Sequence, residues 1–204
     1  MIKEFVEKTL LELSNEKDVF YSEFDFQFAF AWKLKSSRSD LELRLEKPFS
    51  IDGRVYELDI FIPSFESKKV GIELKYFKKD TKVNIDGNSH HLKNSYTSGG
   101  SRYSFINDIY RLQKLKNNGF IDIGFAIVLN NVNRCYTDKI VSDNYAKVLL
   151  NEGRQLKKGE EIYLIKADQI KYPPFTLEEK YEPFHWKCYA ETEEPNFKYL
   201  IISV

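Results

Sequence analysis

"YELDIFIPSFESKKVGIELKYF", residues 56–77, reads as two strands joined by a tight polar connection, with charge where buried strands are normally apolar. Successive side chains of a strand leave on opposite faces, so Glu57, Asp59 and Phe61 share one face and Leu58, Ile60 and Ile62 the other. Glu73 and Lys75 likewise share a face, about 7 Å apart at two residue rises, with Ile72, Leu74 and Tyr76 opposite. If the strands are neighbours, Asp59, Glu73 and Lys75 converge. Unpaired buried charge costs several kcal/mol, so such a cluster needs internal pairing, water or a cation. It is either a structural Asp-Lys-Glu network or a magnesium site. Mg²⁺ takes one or two carboxylates plus waters and phosphate oxygens, and a lysine beside it can position or deprotonate an attacking water.

Outward from this stretch, "LELRLEKPF" (41–49) and "RVYELDIFI" (54–62) are strands meeting at "SIDG", where Gly53 supplies a positive φ for a hairpin, and "KVGIELKYF" (69–77) is the third strand. Upstream, residues 2–14 have the spacing of a short amphipathic helix, and Ser22 caps a second helix through "EFDFQFAFAWKLK" to about Lys35, whose aromatic density predicts core packing. Downstream, residues 78–103 are rich in Asn, Ser and Gly and read as a mobile flap. "SFINDIYRLQKLKNNG" is a helix capped by Ser104 and stopped near Gly119, and "FIDIGFAIVLN" (120–130) a buried strand. The last third predicts a helix near 138–150, a strand in "EIYLIKADQI", a turn at Pro173 and Pro174, and strands around "HWKCYA" and "FKYLIISV". The order predicts an α/β (α+β) domain with a central mixed sheet, one domain over residues 1–204.

The 31 Lys and Arg balance the 31 Asp and Glu, so attraction to nucleic acid must come from local patches. Two distant cysteines, Cys135 and Cys188, suggest neither a disulfide framework nor a zinc site. With no signal-like or membrane-length apolar run, a soluble cytoplasmic protein with no membrane partner is expected. His90 and His91 are adjacent and lack the spacing of a helical zinc pair; no GxxxxGK[ST] or GxSxG run occurs.

An acidic residue on one strand followed by E-x-K on the next, here Asp59 and then Glu73, Leu74 and Lys75, resembles the PD-(D/E)XK nuclease superfamily of restriction endonucleases and RecB-type nucleases. The proline of the family name is replaced by Leu58. Residues 22–130 follow the order of the family core, helix, three strands, helix, strand, with residues 131–204 as an elaboration, and "EFDFQFAFAWKL" resembles the opening of bacterial and phage members. The resemblance implies a restriction endonuclease-like fold and a metal-dependent nuclease acting on DNA in preference to RNA. Asp59, Glu73 and the Leu74 carbonyl would bind Mg²⁺, with Mn²⁺ as substitute, Lys75 would orient the water, and Glu23 on the first core helix would hold a second ion or its waters.

Gln27, one turn after Glu23, and Arg102 and Arg111 are substrate-binding candidates; Lys78, Lys79, Lys82, Lys93 and Lys114 would meet phosphates if the flap folds over the site. Asp108 and Arg111, three apart, are expected to pair on the helix surface. The competing expectation is a catalytically silent subunit of a defence or phage complex, and a homodimer or protein partner is left open as the source of DNA affinity.

Overall fold

The computed structural model describes the chain except residues 18, 86, 138–142, 167–168, 171 and 191–195. In chain order the first elements are α1 (Ile2–Ser14), α2 (Glu23–Ser37), β1 (Arg44–Ile51), β2 (Arg54–Phe65), β3 (Lys68–Phe77), β4 (Thr81–Ile85), β5 (Asn88–Leu92), α3 (Ser98–Asn117) and β6 (Ile123–Asn130). Short pieces follow: α4 (Arg134–Thr137), α5 (Asp143–Ala146), β7 (Glu161–Ile162), β8 (Ile165–Lys166), β9 (Gln169–Ile170) and β10 (Phe175–Thr176). Two longer strands, β11 (Lys187–Ala190) and β12 (Phe197–Ser203), complete the described order.

Six strands form one mixed sheet in the order β1-β2-β3-β6-β12-β11. Only β3 and β6 are parallel; the other neighbours are antiparallel. The long connection through α3 supplies the crossover that a parallel pair requires. Side chains of β6 alternate: Phe125, Ile127 and Leu129 join the core under α1 and α2, while Ala126 and Val128 join the core under α3 and residues 148–184. Covered on both faces, β6 reads as a continuous apolar run. Among the described residues no helix is long and apolar enough to cross a membrane.

Ser22 caps α2 as the sequence predicts, its hydroxyl accepting the Asp25 N–H at 3.0 Å. The aromatic run of α2 does not pack wholly inward, because it winds around the helix: Phe26, Phe30 and Leu34 are fully buried, whereas Phe24, Phe28 and Trp32, spaced four apart, face outward. The expected mobile flap is instead structured. Residues 81–85 and 88–92 pair as the β4–β5 hairpin, and α3 begins at Ser98, six residues before Ser104, because Ser101, Arg102 and Tyr103 are buried and extend the helix inward. The helix expected near 138–150 falls partly outside the described residues; beyond them only α5 is helical, and Val148, Leu149 and Leu150 are buried in non-helical chain. The strand expected in 161–170 is broken into β7 and the β8–β9 pair.

These face assignments are open to mutation. Phe30→Ala should lower stability by about 3–5 kcal/mol, the scale of a fully buried aromatic truncation, while Trp32→Ala two residues on should stay within about 0.5 kcal/mol. Equal costs in urea unfolding would mean the wrong face of α2 has been placed against the sheet.

Candidate active site

β2 and β3 pair only at one end. Their ladder runs from Phe65 opposite Lys68 to Ile60 opposite Ile72 and then stops, so that residues 54–58 of β2 pair with β1 alone and residues 73–77 of β3 with β6 alone. The split leaves backbone groups that burial does not allow to remain unpaired. Side chains take them: the Asp59 carboxylate accepts the Leu74 N–H at 2.5 Å, the Glu23 carboxylate accepts the Tyr76 N–H at 2.9 Å, and the Gln27 amide donates to the Asp59 carbonyl at 2.8 Å.

Strict alternation along β2 fails at the same place. Leu58, expected beside Ile60 and Ile62, belongs to the α3-side core, while Ile60 and Ile62 lie under α1 and α2. On β1 the position opposite Asp59 is Glu46, held at φ 50°, and the ladder has no pair there. This irregularity frees Asp59 to reach across to the backbone of β3.

Glu73, 2% exposed, faces α3, where Arg111 lies 3.2 Å from its carboxylate. The Lys75 ammonium lies 3.4 Å from Glu23 and 3.3 Å from Asp108 and also donates to the Leu74 carbonyl at 3.2 Å. Asp108, expected on the helix surface, is buried and pairs with both Lys75 and Arg111. Its helical spacing from Phe105, Leu112 and Leu115, three before, four after and seven after, was the signal available in the sequence. Four carboxylates, of Glu23, Asp59, Glu73 and Asp108, thus gather around Lys75 and Arg111, and the charge of Lys78 also acts on Glu23.

The protonation behaviour follows. Burial raises the Asp59 carboxyl to about 6, against the pull of Lys75 and of the Leu74 N–H. Burial, and then the charge of Asp108, push Glu73 well above the carboxylate range despite Arg111. Burial likewise raises Asp108, with Lys75 and Arg111 opposing. For Lys75 burial acts downward, but Asp108, Glu23, Asp59 and Glu73 together outweigh it and hold the ammonium protonated.

The three expected substrate contacts are engaged by groups of the protein itself. Gln27 is 4% exposed, its amide nitrogen spent on Glu46 and the Asp59 carbonyl, which makes it a positioning residue for β2. Arg102 is 1% exposed and donates to the Arg134 carbonyl, because it lies on the inward face of α3. Arg111 is engaged by Glu73, Asp108 and the Glu57 carbonyl. Beside the cluster a cleft of about 520 Å³ opens, lined by Ser22, Glu23, Lys75, Lys78, Gly100 and Ser104 among others.

Among the described residues no three His, Cys, Asp or Glu side chains are grouped so as to hold a metal ion between them. A cation here would instead use two carboxylates, Asp59 and Glu73, and the Leu74 carbonyl. This all-oxygen set suits a hard ion, and Oε1 of Glu73, buried without a geometrically formed hydrogen bond, is the oxygen that faces Arg111 at 3.2 Å. No family model, curated protein or solved structure matches the chain.

Folding favours the neutral form of Asp59, so the native state holds that proton more tightly than the unfolded chain and stability falls as pH rises from about 4 to about 6. Asp59→Asn keeps an acceptor for the Leu74 N–H and removes the charge. In EDTA it should be more stable than the parent at pH 7, by at most about 3 kcal/mol, and indistinguishable from it below about pH 4. A lower melting temperature for the variant at pH 7 would show that the charge stabilises the fold.

Proposed function

We propose that the chain is a metal-dependent nuclease of the PD-(D/E)XK type with a restriction endonuclease-like core, hydrolysing phosphodiester bonds in DNA. The observation that carries this reading is the split between β2 and β3, where four carboxylates outnumber the cations Lys75, Arg111 and Lys78 beside an open cleft. That surplus of carboxyl groups suits a positive ion. Asp59, Glu73 and the Leu74 carbonyl would hold Mg²⁺ or Mn²⁺, which supplies a water of lowered pKa and neutralises charge on the phosphate.

The chain's own residues have distinct tasks. Lys75, kept protonated by its carboxylate neighbours, is poorly suited to remove a proton from water. It donates hydrogen bonds that orient the water and stabilise negative charge developing on the phosphate. Glu23 holds Lys75 from the α2 side and Asp108 from the α3 side, so the ammonium is fixed between two helices. Gln27 and Arg111 act through others, Gln27 on the carbonyl of Asp59 and Arg111 on the carboxylate of Glu73.

A second reading is favoured by Glu73 itself, which is almost fully enclosed and clamped by Arg111. In it the charges form a structural network and the chain is a silent binding or assembly subunit of a defence or phage complex. The two readings separate when plasmid and single-stranded DNA are incubated with the protein in Mg²⁺, Mn²⁺ or EDTA. The nuclease should cleave only with metal, and Lys75→Ala should slow cleavage by at least about a hundredfold, the scale of one transition-state electrostatic contact, while leaving metal-induced stabilisation in place. Absence of both cleavage and any metal-dependent rise in melting temperature would leave the network reading.

A further inference from the structure

Where β3 and β6 end, a second cleft of about 700 Å³ lies outside the cluster described above. Its lining includes Lys79, two residues beyond β3, and Asn131, one residue beyond β6, together with Asn94, Ser98 and Arg134. The carboxyl ends of parallel strands are where open α/β sheets bind ligands. The two clefts adjoin along the chain, since residues 75–78 line the first and residues 79–81 the second.

Between them stands the amino end of α3. Its cap residue, Thr97, makes no side-chain cap bond, and the first turn, which contains Gly99 and Gly100, carries no acidic residue. The positive end of the helix dipole therefore has neither a side-chain cap from Thr97 nor an acidic residue in its own first turn. Ser98 lines the second cleft and Thr97 and Gly100 the first.

An independent feature of the second cleft is Asn131, which is 6% exposed. Its Oδ1 accepts the Lys79 N–H at 2.8 Å, which fixes the orientation of the amide, and its Nδ2 is buried with no hydrogen-bond partner. Lys79 and Arg134 are exposed, and neither side chain has an acidic partner among the described residues. The acid in the lining, Asp80, is turned onto His91 at 2.5 Å. What the cleft offers is an ammonium, a guanidinium, hydroxyls and a helix amino terminus, with the unpartnered Asn131 amide buried in its wall. That set matches a tetrahedral oxyanion, and the volume admits a whole nucleotide unit.

We propose that this cleft binds a phosphate group of a nucleotide unit, as a second subsite next to the catalytic cluster; it rests on the nuclease reading for the strand that would supply the phosphate. Lys79 and Arg134 contact the phosphate oxygens from the rim, and the amino end of α3 faces it from within. A strand lying across both clefts would then be held on either side of the α3 terminus.

The test is binding of a labelled single-stranded oligonucleotide in EDTA over a salt series, with inorganic phosphate as a separate ligand in thermal melts. Lys79→Ala and Arg134→Ala should each weaken oligonucleotide binding and reduce the slope of log K against log salt by about 0.7, one phosphate contact on a single strand. Lys8→Ala, which removes the same charge from α1 outside the cleft, should change neither. If inorganic phosphate raises the melting temperature of the parent and not of the two variants, while oligonucleotide binding is insensitive to them, the site stands and its ligand is free phosphate. Unchanged salt slopes together with no variant-sensitive effect of phosphate would overturn the subsite, whether or not the protein cleaves. Altered slopes in a protein that never cleaves would retain the subsite and remove the nuclease reading.

Discussion

The hydrogen bond from the Leu74 amide to the Asp59 carboxylate stands where a strand-to-strand bond between β2 and β3 would otherwise be. A sheet that splits in its interior exposes amides and carbonyls that cannot be left unpaired. Each side chain that answers one of them is thereby fixed in place. Asp59 is held by the Leu74 N–H, Glu23 by the Tyr76 N–H, and the carbonyl of Asp59 by Gln27. The same bonds that repair the split position the charged groups, which is why acidic residues in mid-strand are compatible with this fold.

The repair concentrates charge. Asp59 and Glu23 satisfy backbone amides only as acceptors, and Glu73 and Asp108 add two further carboxyls under α3. Lys75 and Arg111 neutralise part of this and cannot neutralise all of it. The remainder is met by protons, which is the physical meaning of the raised carboxyl pKa values, or by a cation from solution. An arrangement that is electrostatically incomplete by itself is a poor way to stabilise a sheet.

Much of this was legible in the chain. Alternation within "VGIELKYF" gave the faces of β3 correctly, with Glu73 enclosed toward α3 and Ile72, Leu74 and Tyr76 under α1 and α2. Ser22 announced the start of α2, and Glu23 does approach the cluster from that helix end. What periodicity could not show was the break in alternation at Asp59, because it depends on the left-handed Glu46 on the neighbouring strand. Asp108 was misplaced because an i, i+3 pair with Arg111 has the same spacing on an exposed and on a buried helix face. The 78–103 segment was misread from its polarity, since a two-stranded hairpin and a glycine-rich helix start share the composition of a loop.

The stability of the split itself must come from elsewhere in the sheet. β3 loses its β2 partner from Glu73 onward and keeps β6, with which it pairs in unbroken register from Val70 opposite Ile123 to Phe77 opposite Asn130. β6 is in turn anchored by β12 from Phe125 to Asn130. Its side chains fill both cores, so the strand that supports the charged half of β3 is the most completely enclosed one in the sheet. Tyr76 shows the coupling at the level of one residue. Its amide holds Glu23, its ring packs against Phe20, Phe26 and Phe197, and its hydroxyl accepts the Phe20 N–H at 3.2 Å. The approach to α2 is therefore locked to the same residue that carries the far end of the split, and the geometry of Glu23 beside Lys75 is set by the apolar core beneath it.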